Sequence, residues 1–399
     1  MTKHQLRVQD ALKFFAQKDT ELGFRKLLDC VADTQQMSLY LKAIELTNWK
    51  ENNPNELAQL TEKASALLEE VGRCTVEEVI TEKAVLVAKD IKKTYNSGMF
   101  SLGPVSLTIN KGQVYGLVGE NGNGKTTLLR ILAHDLSYNS GEITYYFKKT
   151  PTNEYDLRTK LAYIPQRTDK WYGSLKDNLK FTLACYGIPA EENEPRTLLM
   201  IARLGLWKYR NLNWNALSSG YKMRFELART LLRQPELLLL DEPLGNLDVL
   251  AQQVILEDLK MIANSVNHPI ALILSSQQLF EVEKISDKVI FLKNGQYREN
   301  VETTQENTPT PLIVEIDTTN SREELLAVFS TFNLEKLQYN GGIYIAYFAE
   351  GTEYSTVLEA LGKAKIELTY IRNISASTRR LFVCLFLGDR CQVLGGIGY

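Results

Sequence analysis

The stretch that decides the fold runs Val114-Tyr115-Gly116-Leu117-Val118-Gly119-Glu120-Asn121-Gly122-Asn123-Gly124-Lys125-Thr126-Thr127-Leu128-Leu129-Arg130-Ile131-Leu132. Its apolar opening reads as a strand, its middle is G-x-x-x-x-G-K-T, and its apolar close reads as a helix. Glycines let consecutive backbone N–H groups curl around phosphate oxygens, and the helix N-terminus adds its positive dipole end. In this context Lys125 is expected to reach the terminal phosphates of a nucleotide, and the Thr126 hydroxyl to ligate Mg²⁺. Gly119, Glu120, Asn121, Gly122, Asn123, Gly124 and Thr127 complete the phosphate-binding set. Alone, the motif predicts a nucleotide-binding protein of unspecified kind.

Around this loop the chain divides by pattern. Residues 1–82 lack strand-like alternation. Leu57, Leu60, Ala64, Leu67, Leu68 and Val71 recur at helical spacing, with Asn55 as candidate cap and Gly72 as stop. Leu27, Leu28 and Val31 mark a second amphipathic helix, and Phe14, Phe15, Phe24 and Trp49 read as its core. From Ala84 short strands broken by glycines give way to alternating helices and strands, the pattern of a sheet with crossover helices, over residues 83–300. The polar run ENVETTQENTPTP follows as a linker. Residues 308–399 then read strand (312–316), helix (323–332), hairpin, helix (354–361) and strand (366–371). Ser321 with Glu324 forms a capping-box pattern, and Asn340-Gly341 is a tight-turn signal. The order β-α-β-β-α-β predicts a ferredoxin-like domain.

Further motifs along residues 85 to 295 follow in a fixed order: KKTY ending at Tyr95, AYIPQR with Gln166, LSSGYKMRFELARTLL with Ser218 and Gly220, the apolar run Leu237 to Leu240 followed by Asp241-Glu242-Pro243, and Gly245-Asn246-Leu247-Asp248. In this order the chain resembles the ATP-binding cassette (ABC) ATPases. The resemblance implies an α/β P-loop fold with a helical signature subdomain, preceded here by a small α-helical domain and followed by a ferredoxin-like α+β domain. It implies that Tyr95 stacks on adenine, that Gln166 touches Mg²⁺ and the attacking water, and that Ser218 and Gly220 meet the nucleotide of an opposite subunit. Asp241 is expected to orient Mg²⁺ and Glu242 to polarise the attacking water. Two adjacent carboxylates at a buried strand end are a poor structural choice without a cation. Asp248 falls at the dimer interface of the family. The chain departs from the common wording at Ser219 and Tyr221, and it has Gln277 where the family has a switch histidine. By register, none of the three histidines (His4, His134, His268) takes that place.

The bulk properties exclude other classes. With 399 residues, 44% hydrophobic, 24% charged and a formal net charge of -2, the chain is an ordinary globular one in which nothing calls for nucleic acid or an anionic membrane. Five scattered cysteines without CxxC spacing read as reduced thiols of a cytosolic protein. No secretory signal is visible, and no apolar stretch reaches the roughly 20 residues a membrane span needs. The resemblance therefore implies a cytoplasmic ATPase, peripheral on the cytoplasmic face of a membrane, dimeric with ATP and Mg²⁺, and driving a separate integral membrane subunit. ISASTRRLFV after Ile371 looks like the segment closing the C-terminal appendage of exporter ATPases. A non-transport ABC ATPase doing mechanical or regulatory work is the alternative, and a regulator of low turnover is a third.

Overall fold

The computed structural model describes residues 1–81, 83–95, 100–245, 247–277, 282–299, 311–340 and 342–375. They form two compact units, Met1–Glu299 and a second beginning at Asn300.

The first unit opens with four helices: α1 (Lys3–Ala16), α2 (Thr20–Thr34), α3 (Met37–Asn52) and α4 (Leu57–Gly72). Amphipathic spacing builds this bundle. Leu27, Leu28 and Val31 of α2 and Leu60, Ala64, Leu68 and Val71 of α4 are buried, together with Phe15 and Phe24. Phe14 and Trp49 are only half-buried, and the ammonium groups of Lys26 and Lys63 lie over their rings. Glu56, not Asn55, is the N-cap of α4 and makes no side-chain cap bond; Gly72 is its last residue.

Two sheets follow. β1 (Ala84–Thr94), β2 (Ser101–Asn110) and β4 (Ser140–Tyr145) form an antiparallel sheet in the order β2-β1-β4. The second sheet has the order β5-β6-β7-β3-β8-β9, from β5 (Leu161–Ile164), β6 (Leu237–Leu240), β7 (Ala271–Ser276), β3 (Val114–Val118), β8 (Lys288–Lys293) and β9 (Gln296–Glu299). All its neighbours pair in parallel except β9. β3, β6 and β7 are buried along their whole length, as strands covered on both faces must be. Helices α5 (Lys125–Leu132), α6 (Glu154–Lys160) and α10 (Val249–Ala263) accompany this sheet, while α7 (Leu175–Cys185) packs on α8 (Ala190–Arg203) and α9 (Ser219–Leu231), and α8 also packs on α3 and α2 of the bundle.

Helix α2 joins the bundle to the rest of the unit through ion pairs. Arg203 of α8 pairs with Asp29, and Arg25 pairs with Glu257 and Asp258 of α10. Asp33 takes the guanidinium of Arg7 at 2.6 Å and accepts from the Ser265 hydroxyl at 2.6 Å.

In the second unit β10 (Ile313–Thr318), α11 (Arg322–Phe329), β11 (Leu334–Asn340), β12 (Ile343–Phe348), α12 (Tyr354–Lys363) and β13 (Leu368–Asn373) follow in chain order. Their sheet, β11-β12-β10-β13, is wholly antiparallel. This is the ferredoxin-like arrangement, with the two central strands being the first and third of the unit. Val314, Ile316, Phe329, Phe348, Val357 and Leu361 form its core. The Ser321–Glu324 capping box forms. Asn340 pairs with Ile343, so the hairpin turn sits one residue later than Asn340-Gly341, and Gly341 lies outside the described residues.

Candidate functional site

Four adjacent parallel strands end side by side, and each carboxyl end delivers a polar group: Gln166 after β5, Asp241 and Glu242 after β6, Ser275 and Gln277 at β7, and the glycine loop after β3. The carboxyl edge of a parallel sheet is where such folds bind ligands. Each group is placed there because its strand is too apolar to sit anywhere but the core.

The loop is held open by backbone contacts. Gly124 caps α5 at φ 99°, a conformation suited to glycine. A side chain at Gly119 would meet the Leu292 carbonyl oxygen at 2.5 Å. The Asn123 side-chain Oδ1 accepts from the Asn294 backbone amide at 3.0 Å and ties the loop to the turn after β8. The Lys125 ammonium is 5% exposed; it donates to the carbonyls of Gly119 at 2.7 Å and Glu120 at 3.3 Å and lies 3.3 Å from a Glu242 carboxylate oxygen.

Asp241 is 3% exposed; its side-chain donors among the described residues are hydroxyls, Thr126 at 2.8 Å, Ser275 at 2.8 Å and Tyr163 at 3.3 Å. Burial and the Asp241 charge push the Tyr163 phenol well above its ordinary range, so it remains a donor. Glu242 has φ 49°, a left-handed conformation uncommon for a residue with a Cβ and frequent at functional sites. Its amide donates to the Ser275 hydroxyl at 2.9 Å. Its carboxylate is held by the side-chain amides of Gln166 at 3.0 Å and Gln277 at 2.9 and 3.1 Å.

Over residues 102–245 the chain matches the ABC transporter family. It is 30% identical over 214 residues to the ABC transporter ATP-binding protein NatA of Bacillus subtilis, covering 51% of this chain and 83% of NatA. The chain belongs to the ABC transporter ATP-binding family. It is also 31% identical over 221 residues to the spermidine/putrescine import ATP-binding protein PotA of Borreliella afzelii, which covers 54% of this chain; the match spans only 61% of that protein's length. A solved structure, cbiO1 from Clostridium perfringens, part of the ABC transporter complex cbiONQ, superposes with a TM-score of 0.50 at 24% identity over 54% of this chain and 88% of that one, a likeness of fold.

Within this ABC fold the structure brings Lys125, Thr126, Gln166, Asp241, Glu242 and Gln277 into one hydrogen-bonded cluster. Tyr95 lies beside it, 39% exposed, with its hydroxyl 3.4 Å from that of Thr127. Both Tyr95 and Gln277 fall outside the residues matched to the family. Ser218 caps its own helix α9 by accepting from the Tyr221 amide at 3.5 Å, and Gly220 abuts Ala251 and Leu247. Asp248 caps α10 by accepting from the Ala251 amide at 2.9 Å. Trp171 packs edge-on against Phe225 and takes the Arg229 guanidinium over its ring at 4.1 Å; Tyr172 is 84% exposed.

Sequence reasoning missed Ser275 and Tyr163. The signal for Ser275 was a hydroxyl ending an otherwise apolar buried strand, and for Tyr163 a phenol three residues before Gln166. The donor set of hydroxyl, carboxylate and amide oxygens fits Mg²⁺, which prefers hard oxygen ligands and keeps several waters. The Thr126 and Asp241 oxygens, 2.8 Å apart, converge as two such donors.

Proposed function

We propose that the chain binds ATP on Gly119–Thr127 and hydrolyses it as the energy-supplying subunit of a transporter. The observation that carries this reading is the convergence of Lys125, Thr126, Asp241 and Glu242 at the carboxyl ends of β3 and β6. Lys125 and the loop amides hold the phosphates, Tyr95 offers its ring to adenine, and Thr126, Asp241 and Gln166 hold Mg²⁺. When bound, Mg²⁺ supplies charge neutralisation at the phosphates. Glu242 takes a proton from the attacking water. The water oxygen bonds to the terminal phosphorus, the bond from that phosphorus to the bridging oxygen breaks, and ADP and inorganic phosphate result. Gln166 and Gln277 keep the Glu242 carboxylate oriented.

Ser218 and Gly220 complete the site in trans, so that the active form is a head-to-tail homodimer. The reading assigns residues 1–82 to a helical domain, 83–300 to the nucleotide-binding domain and 308–399 to a ferredoxin-like domain. No helix among the described residues is long and apolar enough to cross a membrane. Transport therefore needs a separate integral membrane subunit, with this chain on the cytoplasmic face. Export is the direction we favour, on the C-terminal appendage; most of ISASTRRLFV, from residue 376, lies outside the described residues, and PotA is named for import.

Affinity capture of the full chain from its native membranes tests the transport reading. An integral membrane protein should co-purify, and Tyr172→Ala should release it while ATP binding persists. A chain found wholly in the soluble fraction, with no membrane protein captured, overturns transport and leaves the nucleotide site standing.

A further inference from the structure

A cavity of about 660 Å³ opens from the outer side of the Thr126–Asp241 pair. Four arginines line it, Arg130, Arg158, Arg167 and Arg233. Arg130 is neutralised by Asp135 at 3.1 Å. Arg158 and Arg167 make no ion pair among the described residues. Arg233 donates one N–H to the Arg158 carbonyl and lies over the Tyr186 ring, and its Nε is buried without a hydrogen-bond partner. Arg158, Arg167 and Arg233, none of them in an ion pair among the described residues, thus line one cavity. Three guanidiniums facing each other repel unless an anion joins them.

We infer that this cavity binds a phosphate oxyanion, and that the ion it takes is the inorganic phosphate formed at the neighbouring site. The guanidinium fork matches phosphate oxygens in pairs, which a lysine cluster would not. Thr126 and Asp241 line the cavity together with the arginines, so it adjoins the reaction site. The inference rests on the proposed hydrolysis for the source of the ion, but binding itself requires no turnover.

Equilibrium binding of radiolabelled inorganic phosphate to the full chain with saturating ADP tests it. Arg158→Ala/Arg167→Ala changes two exposed side chains outside the nucleotide cluster. It should weaken phosphate binding about tenfold or more, the loss expected for charge-assisted contacts, with ADP affinity unchanged. Lys125→Ala should leave the cavity's phosphate binding in place. Equal phosphate affinity in wild type and the double variant, with ADP bound normally, overturns the cavity assignment; a wild-type chain that fails to bind ADP instead overturns the nucleotide reading. Vesicles containing phosphatidic acid distinguish the other source of the same chemistry. Retention of wild type but not of the double variant on those vesicles, without binding of free phosphate, would assign the cavity to a lipid headgroup and overturn the product site.

Discussion

Where the N-terminal helices meet the rest of the first unit, Asp29, Asp33 and Asp258 each face a guanidinium, from Arg203, Arg7 and Arg25 respectively. At the carboxyl ends of β6 and β7 the equally buried Asp241 faces, among the described residues, the hydroxyls of Thr126, Tyr163 and Ser275 and no cation. Next to it, Glu242 has one ammonium and two amides. A buried carboxylate is costly unless paired. The first group is finished by the chain itself and holds structure. The second is left short of positive charge, and a metal ion can supply it. The contrast separates a structural ion network from a ligand site in one unit of one chain.

Breaking the structural side should have the largest effect on stability. Arg203→Ala leaves Asp29 buried and unpaired and should cost about 3 to 5 kcal/mol in urea unfolding. Asp241→Asn removes a charge that nothing in the chain neutralises, so the metal-free protein should unfold at the wild-type midpoint or above it. If the two substitutions destabilise equally, the distinction fails.

On the ligand side, Lys125→Ala removes a charge-assisted phosphate contact of about 1.5 to 3 kcal/mol, so Mg·ATP affinity should drop tenfold or more in equilibrium titration. Unchanged affinity would place the nucleotide elsewhere.

Gln277 sharpens the comparison further, because it holds Glu242 with a neutral amide where a histidine could carry charge. The difference between neutral and charged hydrogen bonds is on the order of 1 to 2 kcal/mol, or roughly tenfold in turnover. Gln277→His should raise the hydrolysis rate and Gln277→Ala lower it, at saturating ATP and matched dimer content. Equal rates in all three proteins would remove Gln277 from the mechanism.

The smallest effect belongs to His268, which adjoins the structural network. Its amide donates to the Ser265 hydroxyl, which itself donates to Asp33. Burial holds the His268 pKa below its ordinary value of 6.5, although a bond to the Pro235 carbonyl opposes the shift. The folded state therefore prefers neutral imidazole, and its contribution is present above pH 6.5 and lost as pH falls through the lowered folded value. Urea midpoints should decline over that window and decline less in His268→Gln. Identical slopes would show that His268 titrates alike in both states.

Much of this was legible in the residues. The strand, glycine loop and helix of 114–132 follow from local pattern alone, and so does the β-α-β-β-α-β order of the second unit. The apolar run before Asp241 announced a buried strand with a carboxylate at its end. What was not legible depended on contacts far apart in sequence. Ser275 reaches Asp241 only because β7 inserts between β6 and β3, and no local signal gives strand order. Trp171 lies in a polar loop, and its cover by Phe225 and Arg229 of α9 has no local signal. Asp29 and Asp33 of α2 meet Arg203 of α8 and Ser265 just past α10, partners that no local pattern gives.

The roles proposed for Asp241 toward a metal and for Glu242 toward a water are tested most directly at Glu242. Glu242→Gln keeps the shape of the side chain and removes its basicity, so binding and chemistry should separate. Steady-state hydrolysis should fall by about 10² or more, the contribution expected of a positioned base. ATP should remain bound, and light scattering should show an ATP-dependent shift to twice the monomer mass. Hydrolysis by Glu242→Gln at the wild-type rate would contradict the account.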